Sequence, residues 1–381
     1  METHLWRLAD IGKLMRRDWK NRFDVLILMR PANVFYCTGA TSPGSYVMVT
    51  KQGEAALGVP ASDEAQVRAA ATFDYIKPFD GRSAMIGSII SLLKHFQPEG
   101  IKSIGIEYSW LSHGLAQLLA APAVKGEDAS IGDCDFLVDR QRAVKDGAEI
   151  DLMRAAARVA DAGMAAAAAA VRPGTTEVEV AAEAEYAMRR EGAEGFRHTC
   201  TGSGPRTAMA RPLPTSRKIA DRELVTIELH PVVNGYSSAL CRTVCAGRPD
   251  AGQEEAFAVL TLAQQETAAM TRAGVTLAEL EGNFHRLLRE AGHEKHIFGR
   301  PVHGVGIETR EAPFPSGGRG LETGAGSEPE AEEPLKGNTV LAVGSRGLSA
   351  GDWGVTVEDT VVAGAEGPEV LTAYPRTLAV D

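Results

Sequence analysis

The sequence predicts an α/β protein of two domains, the second built on an internal repeat. Its 381 residues exceed what one ordinary core holds. Apolar strand segments alternate with helical spacing between residues 24 and 120. Arg172–Glu194 aligns with Arg272–Glu294 without a gap.

The opening, METHLWRLADIGKLMRRDWK, reads as a polar amphipathic helix and lacks the apolar stretch of a signal peptide. Asp24–Met29 is a strand of the buried kind. Ser45–Thr50 and Glu54–Val59 form a hairpin across Lys51-Gln52-Gly53. Ala84–Phe96 has helical spacing, Ser103–Glu107 is a further strand, and Leu111–Ala120 is another helix. Charge and glycine concentrate in Asp139–Ala148, which places the boundary between a first domain, 1–143, and a second, 144–381.

A long helix, Glu149–Val171, follows and stops at Arg172-Pro173-Gly174. The repeat begins there. Arg172/Arg272, Gly174/Gly274, Thr176/Thr276, Glu179/Glu279, Arg189/Arg289, Gly192/Gly292 and Glu194/Glu294 coincide. Each copy reads as a Thr-capped helix ended by glycine. Identities at one register favour duplication over shared cap chemistry. Ser316–Pro334, rich in Gly, Pro and Glu, reads as a surface loop or lid.

Several function classes are excluded. A net charge of −10 leaves no basic stripe for nucleic acid or an anionic membrane. No apolar run reaches transmembrane length. Five scattered cysteines are not a disulfide framework, and they point to a reducing cytoplasm.

Val225–Thr243, VTIELHPVVNGYSSALCRT, reads as a β-hairpin turning at Asn234-Gly235. Residues of equal parity share a strand face, so Glu228 and His230 go together, as do Ala239 and Cys241. A β-bulge would break that parity. Gly235–Thr243 resembles the hairpin of the "pita-bread" hydrolases, the family of methionine aminopeptidase, aminopeptidase P, prolidase and creatinase. Pro301-Val302-His303-Gly304-Val305-Gly306 is similar to that family's His-Gly-x-Gly segment. Asp352–Thr360 is similar to its last ligand strand. The resemblance covers nearly the whole chain, with its strong motifs in Gln141–Arg376. It implies a creatinase-like N-terminal α/β domain ahead of a pita-bread catalytic domain with pseudo-two-fold symmetry.

The same resemblance implies a depleted metal site. Of the peptidases' five ligand positions, His303 and Glu358 are unchanged and one aspartate is lengthened to Glu228. Ala239 and Gly344 replace the other two carboxylates, and Arg310 replaces a second histidine. Hard divalent ions need carboxylate oxygens, so the expectation is no metal and no cofactor. Creatinase and ectoine hydrolase, the metal-independent members, are the nearer likenesses. Creatinase shares Gly-Tyr-x-x-Ala-Leu-x-Arg-Thr, and ectoine hydrolase shares Asp352-Trp353-Gly354. Two departures weigh against creatine itself: Arg211 stands where creatinase has its acid/base histidine, and Cys241 where it has a substrate-binding glutamate.

The expected function is therefore metal-independent hydrolysis of a C–N bond in a small zwitterionic guanidino, amidine or amide compound. The expected catalytic set is His303, Glu358, Glu228, His230 and Cys241, with Cys241 a nucleophile only if a histidine lowers its pKa. The expected substrate-binding set is Arg211, Arg206, Arg242, Arg310 and Trp353. His198 and Cys200 carry only a weak suggestion. Three alternatives stay open: a degenerate scaffold that binds a ligand, a single-zinc enzyme using Glu228, His230, Cys241 and His303, and an Xaa-Pro peptidase. The resemblance also implies a homodimer whose site is completed by the partner's N-terminal domain.

Overall fold

The computed structural model describes residues 5–379 apart from 18–22, 41, 72, 74, 97–100, 299, 315–331 and 346. Most of the expected loop at Ser316–Pro334 lies outside the described residues. The chain forms two compact units, one ending at Gln141 and the next beginning at Arg142.

The first unit is built on six strands: β1 (Val25–Leu28), β2 (Tyr46–Thr50), β3 (Ala55–Pro60), β4 (Ile76–Phe79), β5 (Ser103–Ile106) and β6 (Ser130–Asp133). They lie in the order β4-β3-β2-β1-β5-β6. Central β1 is buried along its whole length, as expected where a sheet is covered on both faces. The β2–β3 hairpin turns through Gly53 at φ +90°, a conformation glycine adopts without penalty. The helix Gly81–Phe96 buries Met85, Ile89, Leu92 and Leu93 in a core with Val25, Ile27, Met48, Ile104 and Ile106.

Just past β5, Glu107 is fully buried. Its carboxylate accepts from the backbone N–H groups of Met29 and Arg30 and from the Asn33 amide. The helix Pro31–Thr38 has no side-chain cap of its own, so Glu107 caps it from across the sheet.

The second unit contains two helix pairs and two four-stranded sheets. The pairs are Gly147–Ala170 with Glu177–Arg190, and Ala251–Met270 with Leu277–Glu290. All four helices open on capping boxes, at Asp146/Glu149, Thr176/Glu179, Asp250/Gln253 and Thr276/Glu279. The first pair packs on a sheet made of β7 (Gly195–Ser203), β8 (Leu224–Val233), β9 (Tyr236–Ser237) and β10 (Leu240–Cys245). The second half carries β11 (Val302–Gly304), β12 (Thr339–Val343), a small β13–β14 pair (Leu348–Ser349, Gly354–Val355), β15 (Asp359–Ala363) and β16 (Pro368–Val370). Its sheet order is β11-β12-β15-β16. This duplicated arrangement is the expected two-domain pita-bread architecture.

The expected hairpin at Val225–Thr243 is interrupted once. β9 and β10 pair with β8 in one register, but Ser238 and Ala239 leave the ladder. Pro231 has no N–H to offer there. Ala239 bonds instead with the Thr360 hydroxyl through both its N–H and its carbonyl, at 2.8 and 2.9 Å.

The two halves join at Cys241 and Glu358, which exchange backbone hydrogen bonds of 3.1 and 3.0 Å. The neighbouring residues lock the seam. Arg242 and Arg376 each pair with Asp359 at 2.7 Å, and Thr372 and Gln264 complete the carboxylate's bonds. Arg242 and Asp359 are fully buried.

Burial pushes the Glu107 carboxyl up to about 7 against its backbone and Asn33 hydrogen bonds. A folded pKa above the unfolded one contributes stability below the unfolded value, and that contribution is lost as pH rises through the folded one. The difference in melting temperature between the protein and Glu107→Gln should therefore shrink from about pH 5 to about pH 8; a constant difference refutes this. Asp359→Ala leaves Arg242 buried and uncompensated and should destabilise by roughly 3–5 kcal/mol in denaturant titration. A loss below about 1 kcal/mol would match a solvent-screened pair instead.

Candidate active site

The site starts from strand parity. Glu228 and His230 project from one face of β8. Cys241 on β10 and Cys200 on β7 lie directly across from Glu228. Between Phe196 and Thr199 the β7 register shifts: three steps there match two steps on β8, from Pro231 to Leu229. This bulge gives β7 an extra residue beside His230 and re-aims His198. His198 Nε2 lies 2.9 Å and His230 Nε2 3.0 Å from the same oxygen, Glu228 Oε1. The two ring centroids are 4.1 Å apart.

The electrostatics follow from this contact. Burial alone would raise the Glu228 carboxyl, but the His198 and His230 hydrogen bonds outweigh it and hold Glu228 well below the usual carboxylate range. An ionised carboxylate only accepts, so both imidazoles donate Nε2–H. Burial lowers the pKa of His230 despite Glu228, with His198 and Arg211 adding to the effect, so His230 is neutral at physiological pH.

The other wall comes from β11. His303 Nδ1 lies 3.0 Å from the Gly304 carbonyl, which assigns the ring proton to Nδ1. Its Nε2 is 3.8 Å from Glu358 Oε1. The glycines after His303 are required by close approach. A Cβ on Gly304 would stand 2.3 Å from the Ala312 carbonyl oxygen, and one on Gly306 would stand 2.2 Å from Glu311 Oε1. Glu311 is itself buried and held by Arg142 and, at 2.9 Å, by Lys145. Burial would raise its carboxyl, but these two cations bring it down to about 2. This anchors the loop that carries Arg310.

The resulting pocket is lined by His198, Arg211, Glu228, His230, His303, Thr309, Arg310 and Ser345. Of the expected residues, it gathers Glu228, His230, His303, Arg211 and Arg310, and Glu358 stands beside His303. His198 carries only a weak suggestion in the sequence, because the bulge that aims it into the pocket arises from the pairing of β7 with β8.

Four expected site residues need correction. Arg206 turns to Glu177 at 3.1 Å and to the Leu213 carbonyl. Arg242 is spent on Asp359 and on the Glu358, Tyr374 and Pro375 carbonyls. Trp353 packs on the apolar cluster of Leu224, Phe257 and Leu260. Cys241 is buried, and burial, with Glu228 and Glu358 adding to it, pushes its thiol up, the opposite of nucleophile activation.

The peptidases' five-ligand, two-metal cage does not fit this chain. Ala239 offers only a methyl group. Gly344 has φ +99°, and a Cβ there would stand 1.9 Å from the Val357 carbonyl oxygen, so no carboxylate fits. Among the described residues, His198, Glu228 and His230 are the group whose ligand atoms converge, all within 4.8 Å of one another.

Comparison with known proteins agrees with the fold and changes the chemistry. The profile of metallopeptidase family M24 matches residues 151–365, and that of the creatinase/prolidase N-terminal domain matches residues 7–144. An Xaa-Pro dipeptidase of Pyrococcus horikoshii is 27% identical over 371 residues, which is 97% of this chain and 98% of that one. The prolidase structure from Pyrococcus horikoshii OT3 superposes with a TM-score of 0.83 at 26% identity, covering 97% of this chain and 99% of the other. The prolidase from Pyrococcus furiosus gives 0.81 at 25% identity, covering 96% and 100%. Among the described residues, no helix is long and apolar enough to cross a membrane. The expectation of a metal-independent hydrolase of a small zwitterionic compound is overturned. The matching family is one of metallopeptidases, and two relatives matched over nearly their full length, from Pyrococcus horikoshii and Pyrococcus furiosus, are Xaa-Pro dipeptidases. With both of its parts matched in order, the chain belongs to metallopeptidase family M24.

Proposed function

We propose that this protein hydrolyses the amide bond of a short peptide, with Xaa-Pro dipeptides as the substrate class. The carrying observation is the pocket itself, where three imidazoles and an ionised carboxylate face two guanidinium groups. A dipeptide has matching ends. Its carboxylate suits Arg211 and Arg310, which can bind it bidentately. Its ammonium suits Glu228. The full-length likeness to Xaa-Pro dipeptidases supports the same class.

His303 is the group best arranged to move a proton. Its Nδ1–H is held by the Gly304 carbonyl, which leaves the Nε2 lone pair toward Glu358 and the pocket. Taking a proton from water makes an imidazolium that Glu358 stabilises. That proton then passes to the departing amine. A second copy of the chain, as the family resemblance implies, belongs to the proposal, and light scattering of the full chain tests it.

The substrate test is proline release from a panel of Xaa-Pro dipeptides, assayed with and without added divalent transition metal. Arg310→Ala should raise KM by about tenfold or more, the loss of one charge-assisted contact. His303→Ala should lower kcat by about a hundredfold or more with KM little changed. Dipeptides that bind without being cleaved under any metal condition would make the protein a binding scaffold instead.

A further inference from the structure

We propose that His198, Glu228 and His230 hold a single transition-metal ion of the zinc type, with its remaining coordination position open to the pocket. This goes beyond the peptidase reading and stands whether or not a peptide is the substrate. The site is not the five-ligand cage, whose second carboxylates are missing at Ala239 and Gly344. Two of its three ligands, His198 and His230, lie outside that cage altogether.

The donor set points to the ion. Two imidazole nitrogens and one carboxylate oxygen suit zinc and its neighbours in the first transition row, and are poor in oxygen for calcium or magnesium. Three protein ligands with one position left over is the pattern of a catalytic zinc site, whereas structural sites close all four.

The geometry is close to that of the loaded site. Both Nε2 atoms already point at one oxygen, at 2.9 and 3.0 Å. Around a tetrahedral zinc with bonds near 2.0–2.1 Å, ligand atoms sit about 3.3 Å apart. A shift of a few tenths of an ångström, within reach of the Glu228 side-chain torsions, makes room. The backbone needs no movement, because β7 and β8 are already paired and the bulge already turns His198 inward.

A second observation concerns how these three groups satisfy one another. Here two histidines spend their Nε2–H groups on one carboxylate oxygen. An ion takes over the positive charge facing Oε1, and each ring keeps one proton, at Nδ1. His303, Thr309 and Arg310 line the same pocket.

The test uses the full chain and reads metal directly. Protein stripped with chelator is titrated with Zn²⁺ and with Co²⁺, followed by elemental analysis and by visible absorption of the cobalt form. About one equivalent should bind, and cobalt should show the intense bands of a four-coordinate site. His198→Gln, at a partly exposed position that the fold tolerates, should weaken binding by about a hundredfold or more. His303→Ala should retain the ion. Binding of less than about a tenth of an equivalent at micromolar metal overturns the inference. So does the reverse pattern, in which His303→Ala loses the ion and His198→Gln keeps it, because that places the metal beside Glu358. None of these readouts uses turnover. A protein that binds one ion at this site yet cleaves no Xaa-Pro dipeptide keeps the inference and sinks the peptidase reading, whereas one that cleaves Xaa-Pro dipeptides yet binds less than about a tenth of an equivalent sinks the inference and keeps that reading.

Discussion

The second unit depends on the seam where Cys241 and Glu358 exchange backbone hydrogen bonds. Each half of the repeat is a sheet with a helix pair, and neither half encloses a pocket alone. The seam fixes β10 of one half against the start of β15 in the other. Its strength comes from the next residue on each strand. Arg242 and Asp359 are buried together, and Arg376, Gln264 and Thr372 satisfy the rest of the carboxylate. A charge buried this deeply is tolerated only when it is paired and hydrogen-bonded. The pairing therefore holds one relative placement of the two sheets, and with it the distance between Glu228 and His303.

The seam also explains why two residues with functional credentials are structural. Cys241 sits on the hairpin face beside Glu228, but its backbone forms the junction and its thiol is sealed in. Two nearby carboxylates add to burial in opposing its ionisation. Arg242 belongs to a motif that resembles a substrate-binding segment, yet all its donors face inward to carbonyls and Asp359. A guanidinium has five donors, and once they are used inside the fold none is left for a ligand. Arg310 lines the pocket, and its neighbour Glu311 anchors the loop through Arg142 and Lys145.

Much of this was legible beforehand because it is local. The repeat shows directly as identities at one fixed offset, and the Thr caps, the β2–β3 hairpin and the strand parity of Glu228 with His230 all depend on residues within a few positions of one another. So does the close approach at Gly304 and Gly306. The errors share one cause: a long-range partner invisible in the chain. Arg206 finds Glu177, 29 residues away, and Arg242 finds Asp359, 117 residues away. Trp353 meets a core assembled from the helix Ala251–Met270 and β8. His198 was undervalued for a different reason. Its place in the pocket depends on the bulge, and the bulge is a property of the β7–β8 pairing, not of either strand.

The chemistry turns on what replaced the lost carboxylates. Ala239 and Gly344 remove two negative charges from the cage, which by itself would leave the remaining residues overly basic, with His303, Arg211 and Arg310 facing inward. Glu228 does not restore the lost charge, since it stands where the cage already has a carboxylate, but it brings a longer side chain and accepts from two imidazoles on one oxygen. A carboxylate in that setting stays ionised as the pocket loses water, because its compensation is supplied by the protein. Carrying the β8–β10 register past the ladder's interruption puts Ala239 opposite His230. The small residue that cannot ligate thus faces the imidazole that can. In the proposed site, the exchange of a hard oxygen donor for a borderline nitrogen donor, at neighbouring points on one sheet face, would favour a single softer ion over a pair of hard cations.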